Sequence, residues 1–410
     1  MKFFAIRHEP AQTTVIYPDR TCDRRKFPSR RLCCLWLVFI LFLLGIVPAN
    51  AQIRQPWWYT LEQGKLLFGN GSYGDALMAF EDARRHRLAQ FTQMEDDLIL
   101  LLSVPEVRRL EDSLEYLEMY IADRLEARAA AALAELYHRV PKDSLNGSVK
   151  RALEELNRLK SYPEAEYWLG ETYQAEGELA LALRQYERAW EVRSLLETPG
   201  FDVDILYKIM DIYRLRRQYQ EMEKRANEII RGKGPTGIPR DSLWAQDNSS
   251  GSYQIRAAMA RNLENDGITR FLSLYRYNNI VTEKAHRVLG FFCYSSNRYP
   301  LAAEHLIFAF LIQNSVLIDE AIRRQFDFTF TTLENLISTV GSKPEISSFL
   351  EETEYYKTIY YLASALHATG KNRPAMQLWT FLARNSQAGE WGERARRNPA
   401  PIIESSVEMP

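Results

Sequence analysis

The sequence predicts an all-α protein: a superhelical solenoid of helix-turn-helix repeats behind an N-terminal signal or anchor helix. Three observations predict it. Apolar residues recur at helical spacing almost everywhere after Trp57, and Ala, Leu, Glu and Arg dominate. A set of small and large residues returns four times at the same gaps. A charge-free apolar run follows a basic stretch near the N-terminus.

Residues 1–51 read as an address. They hold eight Lys/Arg and three acids, net +5, whereas residues 52–410 hold 44 bases and 50 acids, net −6. Arg30-Arg31 precedes 16 uncharged residues, Leu32 to Val47; Pro48 then breaks the run, and Ala49-Asn50-Ala51 offers a cleavage site after Ala51. That order is the pattern of a secretory signal, and the run is short against the roughly 20 residues a bilayer span takes. An uncleaved anchor over Leu32 to Ala51 is the alternative. Cys22, Cys33 and Cys34 fall in this region, so Cys293 alone remains in the mature chain and no intramolecular disulfide forms there. The expected place is the periplasm, or the inner membrane with the chain facing the periplasm. Membrane contact is expected only through this apolar segment.

Residues 52–231 are expected to be N-terminal helical repeats. Gly64, Ala76, Phe80 and Ala83 are separated by 12, 4 and 3 residues, and Gly170, Ala182, Tyr186 and Ala189 repeat those gaps. A turn signal stands seven residues after each first glycine, at Gly71 and at Gly177. Small residues suit the place where two helices cross closely, because a Cβ branch would push the axes apart. One such pair cannot bury its own apolar face, so pairs stack. Between Pro105 and Pro141 an apolar stripe from Leu110 to Val140 averages 3.75 residues per step, which reads as packed helices rather than a 3.5-residue heptad arm. A further pair around Tyr213 and Tyr219 lacks the small residues.

Residues 232–252 collect Gly, Pro and Ser and are expected to be a loop between two halves. Residues 253–397 carry the other two copies: Gly290, Ala302, Leu306 and Ala309, then Ala363, Ala375, Trp379 and Leu382, with turns at Asn297 and Gly370. The alternating patch Phe326-Asp-Phe-Thr-Phe330 lies between helical patterns and is read as helix. Residues 398–410 are expected to be a flexible tail. About ten helix pairs fit the length.

Leu169-Gly170-x-x-Tyr173 followed by Ala182-x3-Tyr186-x2-Ala189 resembles the tetratricopeptide repeat, and the Gly64 and Gly290 copies resemble it too. First residues of successive copies lie 106, 120 and 73 apart, close to whole or half multiples of a period of about 34. The resemblance implies a concave groove lined by the first helix of each pair, which binds a peptide or helix. At matching positions stand Trp58, Leu61, Lys65 and Phe68; Glu164, Tyr167, Glu171 and Gln174; Lys284, Arg287, Phe291 and Tyr294; and Lys357, Tyr360, Ser364 and His367. The partner contacts expected among them are Tyr167, Glu171, Arg287, Phe291, Tyr294, Tyr360 and His367. Tyr167 and Glu171 replace the Lys/Asn pattern with which some members clamp a chaperone's terminal carboxylate.

Chemistry-bearing patterns are sparse. Gly69-Asn-Gly71-Ser-Tyr-Gly74 and Gly232-Lys-Gly234-Pro-Thr-Gly237 match G-x-G-x-x-G, but neither has the strand-then-helix context of a dinucleotide site, so both read as turns or loops. Gly370-Lys371-Asn372 is a turn. His86, His138, His286, His305 and His367 do not pair at three or four residues, and with one Cys they make no zinc pattern. Cys293 sits in an apolar run and reads as a buried structural thiol. No cofactor, metal or catalytic residue is expected. With 52 bases against 53 acids, bulk charge speaks against nucleic acid. The function expected is a non-catalytic scaffold or adaptor for another envelope protein. The rival is a carrier of a small molecule or lipid, with Phe291, Phe292, Phe308 and Phe310 lining an apolar pocket.

Overall fold

A computed structural model describes residues 56–102, 160–198, 200–234, 239–244, 250–341 and 343–397, with only the backbone of 91–102 and 250. The chain divides into Met1–Arg54 and Gln55–Pro410, and the described residues belong to the second unit. The N-terminal segment read as a signal, with Ala51, the 106–140 stripe and residues 398–410, read as a tail, lie outside them.

The described residues are all-α. Ten of the fourteen helices form five hairpins. Hairpin A is α1 (Trp57–Gly69) and α2 (Tyr73–Leu102); B is α3 (Pro163–Ala175) and α4 (Leu179–Glu191); C is α5 (Phe201–Leu215) and α6 (Tyr219–Arg231). After α7 (Ser250–Leu274) comes hairpin D, α8 (Ile280–Ser295) and α9 (Tyr299–Arg324). Two short helices, α10 (Leu333–Val340) and α11 (Pro344–Glu352), lead to hairpin E, α12 (Tyr355–Ala368) and α13 (Asn372–Arg384), and α14 (Gly389–Arg397) follows.

One turn closes all five hairpins. Its pivot residue has positive φ: Gly71 (79°), Gly177 (84°), Arg217 (56°), Asn297 (58°) and Gly370 (80°). The next N–H donates to the carbonyl five residues back, as in Ser72 to Leu67 (3.0 Å), Glu178 to Tyr173 (2.8 Å), Gln218 to Tyr213, Arg298 to Cys293 and Lys371 to Leu366. This is the Schellman arrangement, in which a left-handed residue lets the chain reverse while satisfying orphan helix carbonyls. Glycine adopts it without Cβ strain, and asparagine tolerates it.

The crossing inside each hairpin follows the repeated spacing. A Cβ on Gly64 would stand 2.5 Å from the Phe80 ring, one on Gly170 2.7 Å from Tyr186, and one on Gly290 2.5 Å from Leu306. The large residue therefore occupies the room a side chain would need. The flanking Ala76, Ala83, Ala182, Ala189, Ala302 and Ala309 are fully buried. In hairpin C the same register positions hold Met210 and Ala226, both fully buried, so the small and large residues exchange helices.

The second helix of each hairpin packs on the first helix of the next: α2 on α3, α4 on α5, α6 on α8 and α9 on α12, with α14 closing on α13. The described residues of the 232–252 stretch ahead of α7, 232–234 and 239–244, are non-helical, with an antiparallel bridge between Lys233 and Pro239, and α7 begins at Ser250. The stretch interrupts the chain but not the packing, because hairpins C and D meet directly and one apolar core runs from Tyr167 to Ala395. Helix α7 leaves the row and lies on α13. It breaks at Gly267 (φ 80°), where the Ile268 N–H donates to Gln377 Oε1 (3.0 Å) and a Cβ would stand 2.7 Å from that amide.

The patch Phe326 to Phe330 is not helical, contrary to its sequence reading. Helix α9 ends at Arg324, Gln325 leaves the helical region, a turn follows at Phe326 and Asp327, and residues 328–332 are neither helix nor strand. Phe330 is buried while Phe326 is 96% exposed, so the alternating phenylalanines do not share one apolar face. Helix α9 is long and apolar enough to cross a bilayer, with a mean hydropathy of 1.6, but 83% of that window is buried inside the protein, as suits a core helix.

Candidate functional site

Tyr167, Arg287, Phe291, Tyr294 and Tyr360, expected on an accessible groove, are all buried. The reason is close approach of neighbouring hairpins. Tyr167 packs 4.5 Å from the Phe201 ring of hairpin C. Phe291 and Tyr294 of hairpin D both meet Tyr361 of hairpin E, at 5.3 and 5.2 Å. Tyr360 abuts Trp391 of α14 at 5.6 Å. His367 is half-buried and bonds Asn372 Oδ1 (2.7 Å) across the turn of hairpin E. Five of the seven sequence-chosen residues are thus buried where hairpins, or hairpin E and α14, meet.

Glu171 and Arg287 belong instead to a ladder of ion pairs between first helices. Glu171 of α3 takes Lys208 of α5 (2.7 Å), Asp211 of α5 takes Lys284 of α8 (2.5 Å), and Arg287 of α8 takes Glu354 ahead of α12. Arg287 also binds Glu283 (3.0 Å), to which the Gln313 amide donates at 2.6 Å. Burial raises the Glu283 carboxyl above its ordinary value, against the pull of Arg287. Burial would also raise Glu354, but Arg287 and Lys357 outweigh it and hold that carboxyl below its usual range.

The ladder ends beside a cavity of about 550 Å³ between α11, α12 and α14, edged by Glu351, Glu354, Tyr356, Lys357, Gln387 and Trp391. The Tyr356 hydroxyl donates to Gln387 Oε1 (3.1 Å), Lys357 to Glu354 (2.9 Å), and the Arg394 guanidinium lies 4.6 Å from the Trp391 ring. Aromatic faces beside paired charges can hold an extended peptide or a polar small molecule. A second cavity, about 410 Å³, lies between hairpins A and B by Arg84, Lys160 and Arg188.

A buried polar cluster was missed by the sequence reading. His286 of α8 and His305 of α9 stand Nδ1 to Nδ1 at 3.1 Å, and His286 Nε2 lies 3.4 Å from Asp241 Oδ2 in the loop after hairpin C. Asp241 also accepts from the Tyr277 hydroxyl, from Thr282 Oγ1 (3.4 Å) and from the Leu243 N–H (3.0 Å). Trp244 stacks on His305 at 4.7 Å and Phe308 on His286 at 5.4 Å. Asp241 and His286 are fully buried and His305 is 2% exposed. Hairpin register held the signal for the two histidines: His286 is four residues before Gly290 and His305 one before Leu306, which flank the crossing. Nothing in the sequence places Asp241 with them. No cluster among the described residues has the three donors a metal ion needs.

The described residues define a class: an all-α protein of stacked helical hairpins, with ion pairs running between successive first helices. No protein-family model matches the chain. It is 25% identical over 338 residues to an uncharacterized protein of Treponema pallidum, covering 82% of this chain and 88% of that one. It is 21% identical over 238 residues to an uncharacterized protein of Borreliella burgdorferi, covering 55% of this chain and 72% of that one. Neither description names an activity.

Proposed function

We propose that this chain is a non-catalytic scaffold of the tetratricopeptide type, a stacked helical solenoid exported to the periplasm by its N-terminal segment, that binds another envelope protein. The observation that carries the reading is the shared register: five hairpins repeat one turn, three of them repeat one glycine crossing, and each leans on the next. Such rows expose side chains from many repeats along one surface and suit extended partners. The docking point is the cavity at the end of hairpin E, where Tyr356 and Trp391 supply aromatic faces and Glu351 and Lys357 supply charge. Phe291, Phe308 and Phe310, which the carrier reading needs around a pocket, are core residues, and Phe292 stacks on Tyr219 at 5.6 Å.

The test is crosslinking in the native host with a C-terminally tagged chain, beside the variant Tyr356→Ala/Trp391→Ala. One envelope protein captured by the parent and lost by the variant supports the reading. Turnover of cell-wall or peptide substrates by the purified chain, or a lipid or small molecule as the sole reproducible companion, overturns it.

A further inference from the structure

We infer that His286 and His305 form an acid-released latch that fastens residues 239–244 to hairpin D. The chemistry starts from Asp241, which as a carboxylate only accepts hydrogen bonds. His286 therefore carries its proton on Nε2, facing Asp241, and presents a bare Nδ1. His305 must then supply the proton of the Nδ1–Nδ1 bond at 3.1 Å. One proton makes that bond, and two would set N–H against N–H at the same distance.

The surroundings decide which charges the closed state admits. Asp241 faces His286 from the loop before α7, and Tyr277 from the loop after α7 bonds Asp241, with Glu304 of α9 and Arg256 of α7 beyond. Around His305 the charged neighbours are Arg231 of α6, Arg256 of α7 and Arg298 of the turn in hairpin D. Arg256 is held by Glu304 (3.1 Å) and covers the Trp244 ring at 4.5 Å. A cation on His305 has no carboxylate of its own and three guanidinium groups nearby. Burial holds the His286 imidazole below its ordinary value against the opposing pull of Asp241 and Glu304, and burial, then His286 and the three guanidinium groups, hold His305 well below.

What the pair fastens is specific. Asp241 ties its loop to Tyr277 and Thr282 at the entry of α8, and the Asn279 amide donates to Arg240 O (2.9 Å). Trp244 is pinned between His305 and Arg256. Each ring takes its proton only when open, so closure is complete above the ordinary histidine value of about 6.5 and is lost as pH falls below it. In the open state the loop and Trp244 leave hairpin D, and the junction of hairpins C and D loses its buried tie.

The measurement is amide hydrogen exchange of the full mature chain from pH 7.5 to 5, divided by the intrinsic rate at each pH and read at Leu243, Trp244 and Thr282. Opening is expected to rise below about pH 6.5 and to approach about 100-fold per pH unit, two protons bound on opening. His305→Gln, whose amide still donates to His286 Nδ1, is expected to approach only about 10-fold per unit. A flat profile, or equal slopes in parent and variant, overturns the latch. Imidazole nitrogen spectra of the parent provide a check that needs no variant. Two neutral rings in the closed state, with the proton on Nε2 of His286 and Nδ1 of His305, support it; a charged ring in the closed state overturns it.

Discussion

Hairpins B and C are neighbours, and they solve the same crossing in opposite ways. In B a glycine on the first helix, Gly170, admits the Tyr186 ring from the second. In C the first helix supplies the bulk with Met210, and the second supplies the small residue, Ala226. Both positions are sealed from solvent in both hairpins. The crossing requires a fixed combined volume and is indifferent to which helix provides it. A repeat search that fixes the small residue on one helix passes over hairpin C for this reason.

The comparison can be broken most sharply in C. Met210→Ala leaves a cavity where B has none, and a loss of about 2–5 kcal/mol in denaturant unfolding is expected. The exchange Met210→Gly/Ala226→Tyr, which converts C to the arrangement of B, should recover more than half of that loss. If the double variant is no better than Met210→Gly alone, the volume argument is wrong. Overpacking comes next: Gly290→Ala drives a Cβ into Leu306 at 2.5 Å, with about 1–3 kcal/mol lost in the same assay.

The turns give a smaller effect. Arg217 holds φ 56° where A, B and E have glycine, so Arg217→Gly should raise stability by about 1 kcal/mol or less. Gly177→Ala should lower it, since φ there is 84°. The weakest effect is expected at the ladder. Lys284 is 37% exposed, so Lys284→Met should cost under about 1 kcal/mol and the difference should vanish in high salt. Cys293 reports on hairpin D, and so on Gly290→Ala. It is fully buried, and burial pushes its thiol up to about 11, so alkylation near pH 8 should follow unfolding of hairpin D.

The two classes of expectation differ in how local their causes are. Gly71, Gly177 and Gly370 were legible as turns because the left-handed conformation is a property of one residue and its neighbours. Gly64 and Phe80 were legible as a crossing because they lie 16 residues apart in a single hairpin. Cys293 was legible as buried from its apolar run. The burial of the groove residues was not legible, for the opposite reason. Whether Phe291 faces a partner or Tyr361 depends on how closely hairpin D approaches E, and those residues are 70 apart. The helical reading of Phe326 to Phe330 failed because the helix stops at Arg324, where Gln325 leaves the helical region, and the flanking helical pattern was carried across that break.

By itself the sequence determined the all-α class, the turn positions and the pairing of small with large residues, because each follows from interactions within about 20 residues. Tertiary structure alone decided that α7 crosses to α13, that Glu171, Lys208, Asp211, Lys284, Arg287 and Glu354 pair across hairpins, and that Asp241 meets His286 and His305. Those contacts depend on the angle and distance between whole hairpins, which many weak packing contacts set together and no single stretch of chain encodes.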